Sequence, residues 1–233
     1  MTVPFYVSPE QVVKDKADYA RKGISRGRSV IVMQCTEGIL FVAENPSRAL
    51  HKVSEIYDRI AFAAVGKYNE FENLRQAGVR YADLRGYAYD RSDVTARSLA
   101  NSYAQTLGTI FTEAPKPYEV EIVVAEVADL PKNDQLYRLT FDGSVGDEHG
   151  FVAMGGSADV ISTQLSELWS DNLDFEAGVR LAVTELAKTG IPVGAPPRNI
   201  APNELEVAVL DRRRPRRRFK RMTSERLSSL LVS

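Results

Sequence analysis

The chain has 233 residues, of which 44% are hydrophobic and 26% are charged, and its formal net charge is −1. This profile excludes collagen, a long coiled coil and wholesale disorder, and the length suits one large domain or two small ones. Two histidines and a single cysteine, Cys35, are too few for a His-based or Cys-based metal site or for an internal disulfide. The sequence therefore predicts a reducing, cytoplasmic setting and no cofactor.

The first residues predict a short tail followed by a helix. Residues 1–7 are aperiodic, apolar and partly aromatic. Ser8 and Pro9 then indicate the start of a helix over 9–24, in which Gln11 would complete a capping box. Its apolar face is predicted to include Val13, Ala17, Ala20 and Ile24. No signal peptide and no apolar run of about 18 residues is recognisable, so we expect no membrane partner.

Blocks of strands alternate with pairs of helices along the rest of the chain. Strands are predicted over 29–35, 38–43, 53–57, 60–65, 119–127, 135–141, 150–154 and 205–210. Helices are predicted over 68–87, 93–111 and 174–189, after the capping residue Ser157, and in a short segment from Thr223. The periodicity places Leu84 and Leu168 on inner helix faces, and the wholly apolar strand 60–65 between two layers. This order favours antiparallel sheets sandwiched between helical layers.

A dense basic run contrasts with the near-neutral net charge, since eight of the ten residues over 212–221 are Arg or Lys. Two interpretations are open: a nucleic-acid-binding tail and a solvated surface hairpin. The hairpin is favoured, because Pro215 suits a chain reversal and apolar residues return at Phe219 and Met222. The sequence therefore does not favour nucleic acid as a partner.

Motifs for a catalytic nucleophile are missing from the sequence. Gly155-Gly156-Ser157 lacks the spacing of a Gly-x-Ser-x-Gly elbow. Its glycines favour a tight strand-to-helix turn over an anion cradle, since no Lys-Ser/Thr pair follows. His51 and His149 have no placed serine or cysteine partner, so both are interpreted as surface residues. Zinc, calcium-loop and dinucleotide-binding motifs are absent as well.

Several local features occur in the order typical of one family. They are Ser8-Pro9, Tyr19-Ala20-Arg21, Gly27 before a strand pair, Lys52, and a helix start at Gly66-Lys67-Tyr68-Asn69-Glu70. Together they resemble a proteasome α-subunit of the actinobacterial type over nearly the whole chain, with weaker likeness in 191–203 and beyond Thr223. The resemblance implies an α+β fold, the four-layer αββα sandwich of N-terminal-nucleophile hydrolases. It also implies a gating tail at 1–7 and one α-type domain over 8–233, with an N-terminal helix at 8–25 and the basic hairpin and last helix at 212–233.

The resemblance also bears on catalysis. The catalytic subunits of the family are of the β type, whose N-terminal threonine attacks the peptide with its own amine as base. The resemblance puts Lys52 and Glu44 near the family's lysine and acid positions, but Thr2 lies far upstream, with a helix before the first strand. We therefore expect a non-catalytic subunit of a threonine protease complex.

A subunit of this kind forms a heptameric ring, stacks on a ring of β-subunits and narrows the entrance with its N-terminal tails. The gating residues would be Thr2, Val3, Pro4, Phe5, Tyr6 and Val7. Archaeal and eukaryotic relatives carry a Tyr-Asp pair before Ser-Pro, where Phe5-Tyr6-Val7 stands here. In relatives, the lysine matching Lys52 lies between neighbouring α-subunits and binds the C-terminal carboxylate of an activating ATPase ring. Arg21 is predicted to line the same region.

Two alternatives from other classes are open. One is a self-processing N-terminal-nucleophile hydrolase, which needs a new N-terminus near the first strand. The other is a nucleic-acid-binding protein that uses residues 212–221.

Overall fold

The computed structural model describes residues 8–192 and 195–232. Its helices are α1 (Pro9–Ser25), α2 (Tyr68–Ala88), α3 (Ala96–Glu113), α4 (Ala158–Leu168), α5 (Phe175–Ala187) and α6 (Ser224–Val232). Its strands are β1 (Val30–Cys35), β2 (Gly38–Glu44), β3 (Val53–Tyr57), β4 (Ile60–Gly66), β5 (Val120–Glu126), β6 (Gln135–Leu139), β7 (Val145–Glu148), β8 (Phe151–Met154), β9 (Leu205–Asp211) and β10 (Phe219–Arg221). The predicted order of elements is confirmed, with β7 as an additional strand in the middle block.

Within the described residues, the strands form two five-stranded sheets. The first sheet has the order β10-β9-β2-β1-β8 and the second has the order β3-β4-β5-β6-β7. All neighbouring strands run antiparallel. Short connections, too short for the crossovers that parallel strands need, account for the antiparallel pairs β1–β2, β3–β4, β5–β6, β6–β7 and β9–β10. The pairs β4–β5, β1–β8 and β2–β9 are joined by longer segments.

Apolar cores separate the layers. One core lies between the two sheets, a second between the first sheet and helices α4, α5 and α6, and a third between the second sheet and helices α2 and α3. Residues 60–65 of β4 are buried throughout, as their apolar run predicted. The four-layer αββα sandwich is therefore confirmed. None of the described helices is long and apolar enough to cross a membrane.

Helix α1 packs across one end of the sandwich, beside β4 and β5. Ala20 and Ile24 reach into the core between the sheets. Lys16 ties the helix to the end of α3, because its Nζ donates to the carbonyl oxygens of Phe111 at 2.9 Å and Ala114 at 2.8 Å. The helix is thus an integral part of the fold.

The predicted helix caps are met in part. Ser8 Oγ accepts a hydrogen bond from Gln11 N at 3.2 Å, which begins α1 as expected. The Gln11 amide, however, donates to Asp15 at 2.6 Å, so the reciprocal half of the capping box is replaced by a contact one turn on. Ser157 precedes α4, but its backbone is not extended and its side chain makes no capping bond. Helix α3 begins later than predicted, because Thr95 Oγ1 caps it by accepting from Ser98 N at 3.2 Å.

Strand β6 ends two residues earlier than predicted because a tight turn follows it. Gly143 has a φ of +86°, in the left-handed region that favours glycine. Asp142 stabilises the turn by accepting a hydrogen bond from Ser144 N at 3.0 Å. The Asp-Gly pair is a hairpin signal, and the resulting hairpin adds β7 to the second sheet.

Three residues predicted on inner faces are exposed: Val13 at 53%, Leu84 at 70% and Leu168 at 50%. On α2 the reason is visible in the buried stripe, which runs through Gly78 and Ala82. A Cβ at Gly78 would collide with the Tyr103 hydroxyl, so the helix meets α3 along its smallest residues. That stripe turns Leu84 outward.

Candidate functional site

Lys52 lies just before β3, where the start of β1 and the end of β2 also meet. Its Nζ donates to the carbonyl oxygen of Arg28 at 2.7 Å and to that of Glu44 at 3.2 Å. The pKa of Lys52 is lowered to about 8, chiefly by burial and also by Arg28, while Glu206 and Glu44 act in the opposite direction. The Lys52 side chain is thus half-buried, and its ammonium is hydrogen bonded.

Glu44, the last residue of β2, is a buried carboxylate that two arginines bind. Arg28 Nη1 donates to Oε1 at 2.8 Å. Arg198 binds both oxygens, with Nη1 to Oε1 at 3.0 Å and Nη2 to Oε2 at 2.9 Å. The hydrogen bonds from Arg198 hold the pKa of the Glu44 carboxyl below its ordinary value. Lys52 and Glu44 are thus brought together, as the resemblance implied.

Glu206 on β9 is a second buried carboxylate at this end of the sandwich. It accepts hydrogen bonds from the backbone N–H of Lys52 at 2.9 Å and of Val53 at 3.2 Å. Asn45 donates to it at 2.7 Å, and Arg221 forms a short ion pair with it. Glu206 therefore fixes the backbone that carries Lys52.

Contacts at this end leave an excess of positive charge. Four cations, Arg28, Lys52, Arg198 and Arg221, surround the two carboxylates of Glu44 and Glu206. Neither Arg198, in the loop 191–203, nor Glu206 was singled out from the sequence. Arg198 reaches Glu44, and Glu206 reaches the backbone of Lys52, only through long-range folding, and no local motif marks them.

Comparison with known proteins assigns the chain to a family. A family model described as Proteasome subunit matches residues 24–200. The chain belongs to the proteasome subunit family. It is 67% identical to a protein of Kineococcus radiotolerans named proteasome subunit alpha, over 100% of this chain and 99% of that protein. Proteins of the same name from Sanguibacter keddieii and Acidothermus cellulolyticus are 65% and 62% identical, over 100% and 99% of this chain and 91% and 98% of their own lengths. The α-type resemblance inferred from the residues is thereby confirmed.

Arg21 occupies a different part of the same end of this proteasome-family chain. Its guanidinium pairs with Asp18 at 3.3 Å and lies over the Phe141 ring at 5.7 Å. Phe141 follows β6, whereas Lys52 precedes β3, and β4 and β5 lie between them in the sheet. Three strand spacings correspond to about 14 Å. The structure therefore does not bring Arg21 and Lys52 together within one chain.

The basic run forms the turn between β9 and β10, as the hairpin interpretation predicted. The expectation that it is solvated holds for Arg213 and Arg217, which are 69% and 76% exposed, but not for Arg212 and Arg218, at 9% and 11%. Most of its arginines also pair with carboxylates. The pairs are Arg212 with Asp134, Arg213 with Asp211, Arg217 with Glu55, Arg218 with Asp129 and Arg221 with Glu206. Much of the positive charge that a nucleic acid would need is thus neutralised within the fold.

The glycine pair before α4, His149 and the gating residues are the remaining features singled out from the sequence. A Cβ at Gly156 would collide with the carbonyl oxygen of Ser25, so the two glycines permit a close approach of backbones before α4. His149 lies exposed, 3.7 Å from Asp171. In the described ranges, no group of three or more His, Cys, Asp or Glu side chains is placed to hold a metal ion. The predicted gating residues, Thr2, Val3, Pro4, Phe5, Tyr6 and Val7, lie outside the described residues.

Proposed function

We propose that this chain is a non-catalytic α-subunit that forms the heptameric outer rings of a bacterial proteasome core in the cytoplasm. The observation that carries the proposal is the partner of Lys52. N-terminal-nucleophile catalysis needs a free amine and a hydroxyl or thiol beside the lysine, at the start of the first strand. Here the chain runs on from α1 into β1, and the Arg28 carbonyl oxygen accepts a hydrogen bond from the Lys52 ammonium. The carbonyl oxygen of a peptide bond cannot serve as the nucleophile.

The packing of α1 argues against the self-processing hydrolase. A new N-terminus near β1 would remove this helix, although Ala20 and Ile24 fill part of the core between the sheets. Losing buried side chains of this size costs several kcal/mol, on the order of 2–5 for an isoleucine alone. N-terminal sequencing of the mature chain tests the point, because the hydrolase requires a terminus after α1. Retention on DNA that falls steeply with salt concentration would instead favour the other alternative, a nucleic-acid-binding protein.

Exposed apolar side chains on two different elements support ring assembly. Val13 and Tyr19 are exposed on α1, and Leu84, Tyr87 and Tyr89 are exposed at the end of α2. A head-to-tail ring needs two complementary patches on each copy, and stacking on a second ring needs another. Exposed apolar side chains at two places on the chain are what such contacts would use.

The assembly proposal is tested by co-expressing the chain with the β-subunit of the same organism. Negative-stain microscopy should show a barrel of four stacked rings with sevenfold symmetry. The chain alone should show no peptidase activity. A monomer in both preparations would contradict the proposal.

We further propose that residues 2–7 narrow the axial entrance of the ring. Deleting them should raise hydrolysis of a fluorogenic peptide by the assembled particle. Helix α1 should survive the deletion, since Ser8 supplies its cap and Ala20 and Ile24 anchor it. Titration of the β-subunit sites with a covalent inhibitor normalises the rates. Equal rates per active site would show that the tail is not the barrier.

Lys52 is proposed to bind the terminal carboxylate of a ring-shaped ATPase. A charge-assisted hydrogen bond is worth about 1.5–3 kcal/mol, and several pockets acting together around a ring multiply the effect. Lys52→Met keeps the aliphatic stem and removes the ammonium. The variant barrel should assemble but lose stimulation by the ATPase. A full response to the ATPase would place docking elsewhere.

A further inference from the structure

Arg28 and Lys52 flank the same residue, Glu44, from two sides. Arg28 Nη1 donates to the Glu44 carboxylate at 2.8 Å, while Lys52 Nζ donates to the Glu44 carbonyl oxygen at 3.2 Å. The Arg28 carbonyl oxygen also accepts a hydrogen bond from Lys52 at 2.7 Å. The two cationic groups therefore belong to one small site and can reach one ligand.

The buried Glu44 carboxylate does not need Arg28 for its charge to be neutralised. Arg198 already binds both carboxylate oxygens, and it is held in place by donating to the carbonyl oxygen of Thr189 at 3.0 Å. A planar guanidinium that binds a carboxylate through two bonds satisfies its charge and geometry. The Arg28 side chain, by contrast, is 48% exposed and makes one bond to the carboxylate. Arg28 can leave Glu44 without stranding a buried charge.

The charge balance indicates an anionic ligand. Three arginines contact the carboxylates of Glu44 and Glu206 directly. Lys52 interacts with both carboxylates through their charge, so four cations face two carboxylates. One positive charge is still in excess when Glu204 is included, which acts on Arg198 from farther away. Burial disfavours the charged form of Lys52, so an incoming anion would restore the stability of its ammonium.

We propose that Arg28 is a second carboxylate-binding residue, and that Arg28 and Lys52 together bind the C-terminal carboxylate of a peptide partner. This inference rests on the proposed docking function of Lys52. On binding, Arg28 turns from Glu44 to the incoming carboxylate, and Arg198 alone keeps Glu44 neutralised. Lys52 uses the third N–H of its ammonium, since two are engaged by carbonyl oxygens.

The test uses particles assembled from this chain and its β-subunit. The probe is a fluorescent peptide copying the C-terminus of the organism's ring-shaped proteasomal ATPase, made with a free carboxylate and with a terminal amide. Binding of both peptides is measured by anisotropy for the parent, Lys52→Met and Arg28→Gln. Arg26→Gln is the matched control, because Arg26 is exposed and lies two residues away. Arg28→Lys is a second variant, which retains the charge but not the fork of donors.

We expect Arg28→Gln to weaken binding of the free-acid peptide about tenfold, the loss of one charge-assisted contact, and to leave binding of the amide unchanged. Arg28→Lys should give an intermediate loss, and Arg26→Gln should change affinity less than about twofold. The melting temperatures of Arg28→Gln and Arg26→Gln should agree, because Arg198 still binds Glu44.

Failure of the inference and failure of the docking proposal are distinguishable. If the amide binds as well as the free acid, or if Lys52→Met binds like the parent, carboxylate docking at Lys52 is wrong and the role of Arg28 falls with it. If docking needs the carboxylate and Lys52, but Arg28→Gln behaves like Arg26→Gln, only the role of Arg28 is wrong. Equal weakening of both peptides by Arg28→Gln would also overturn it, since Arg28 would then contact another part of the peptide.

Discussion

Replacing Arg212 by alanine should destabilise the fold strongly, although the residue opens a run that looks like surface charge. Its side chain is 9% exposed and faces Asp134, whose side chain is fully buried. The guanidinium donates to both Asp134 oxygens, at 3.1 and 2.8 Å, and to the carbonyl oxygen of Ala128 at 2.8 Å. Removing one partner of such a pair leaves the other charge buried and costs about 3–5 kcal/mol. Among the residues that the structure describes, the Asp134 carboxylate then keeps only the hydrogen bond from Ala128 N.

Thermal unfolding of the isolated chain measures this effect. For a chain of this length, 1 kcal/mol lowers the melting temperature by about 2–4 °C, so a loss of about 4 kcal/mol corresponds to about 8–16 °C. Arg216→Ala is the matched control, because Arg216 is an exposed residue of the same turn. It should lie within about 2 °C of the parent. If Arg212→Ala also stays within that range, the buried ion pair is not a structural requirement.

Three further predictions concern the pH dependence, the buried carboxylate and the helix contact. Because the folded-state pKa of Lys52 is lowered to about 8, the unfolded chain binds more protons between pH 8 and its ordinary value. The free energy of unfolding should therefore gain a contribution that rises with pH in this window, and calorimetry should find it missing in Lys52→Met. Glu44→Gln should lower the melting temperature more than Glu55→Gln, because Glu55 pairs with an exposed arginine and Glu44 with two arginines at a buried position. Tyr103→Phe should not lower the melting temperature, since the buried Tyr103 hydroxyl has no hydrogen-bond partner among the described residues.

The layers of the fold could be predicted because they depend on local patterns. The apolar run 60–65 and the helical periodicities are short-range signals, and the structure follows them. The predictions fail where contacts between elements decide which residues are buried. Leu84 has the right spacing for an inner face, yet the contact of α2 with α3 is made through Gly78, where only a glycine lets the Tyr103 ring approach. Phe71, Leu74 and Gly78 are buried, as their spacing predicts, but beyond Gly78 the buried stripe continues through Ala82 and not through Leu84.

The site was predictable only in part for a related reason. Lys52 and Glu44 were singled out through the family resemblance, and they do meet. Arg198 and Glu206 lie far along the chain in segments without a motif, and they join the site only when β9 pairs with β2. Predicting each helix and strand from its own residues cannot reveal contacts between segments that lie far apart in the sequence. The environment of Lys52, and hence its lowered pKa, follows from the assembled sheets.

Charge density along the sequence and charge imbalance in space point to different parts of this molecule, and only Arg221 belongs to both. The basic run is the densest positive segment, yet Arg212, Arg213, Arg217 and Arg218 each face a carboxylate, and the fold uses their charge internally. Around Lys52 the charges are widely separated in sequence, and the cations outnumber the carboxylates they contact. A charge that is already neutralised by a partner in the fold attracts a charged ligand only weakly. The unbalanced set is therefore the one that an anionic partner can complete, and Arg28 is its most exposed arginine.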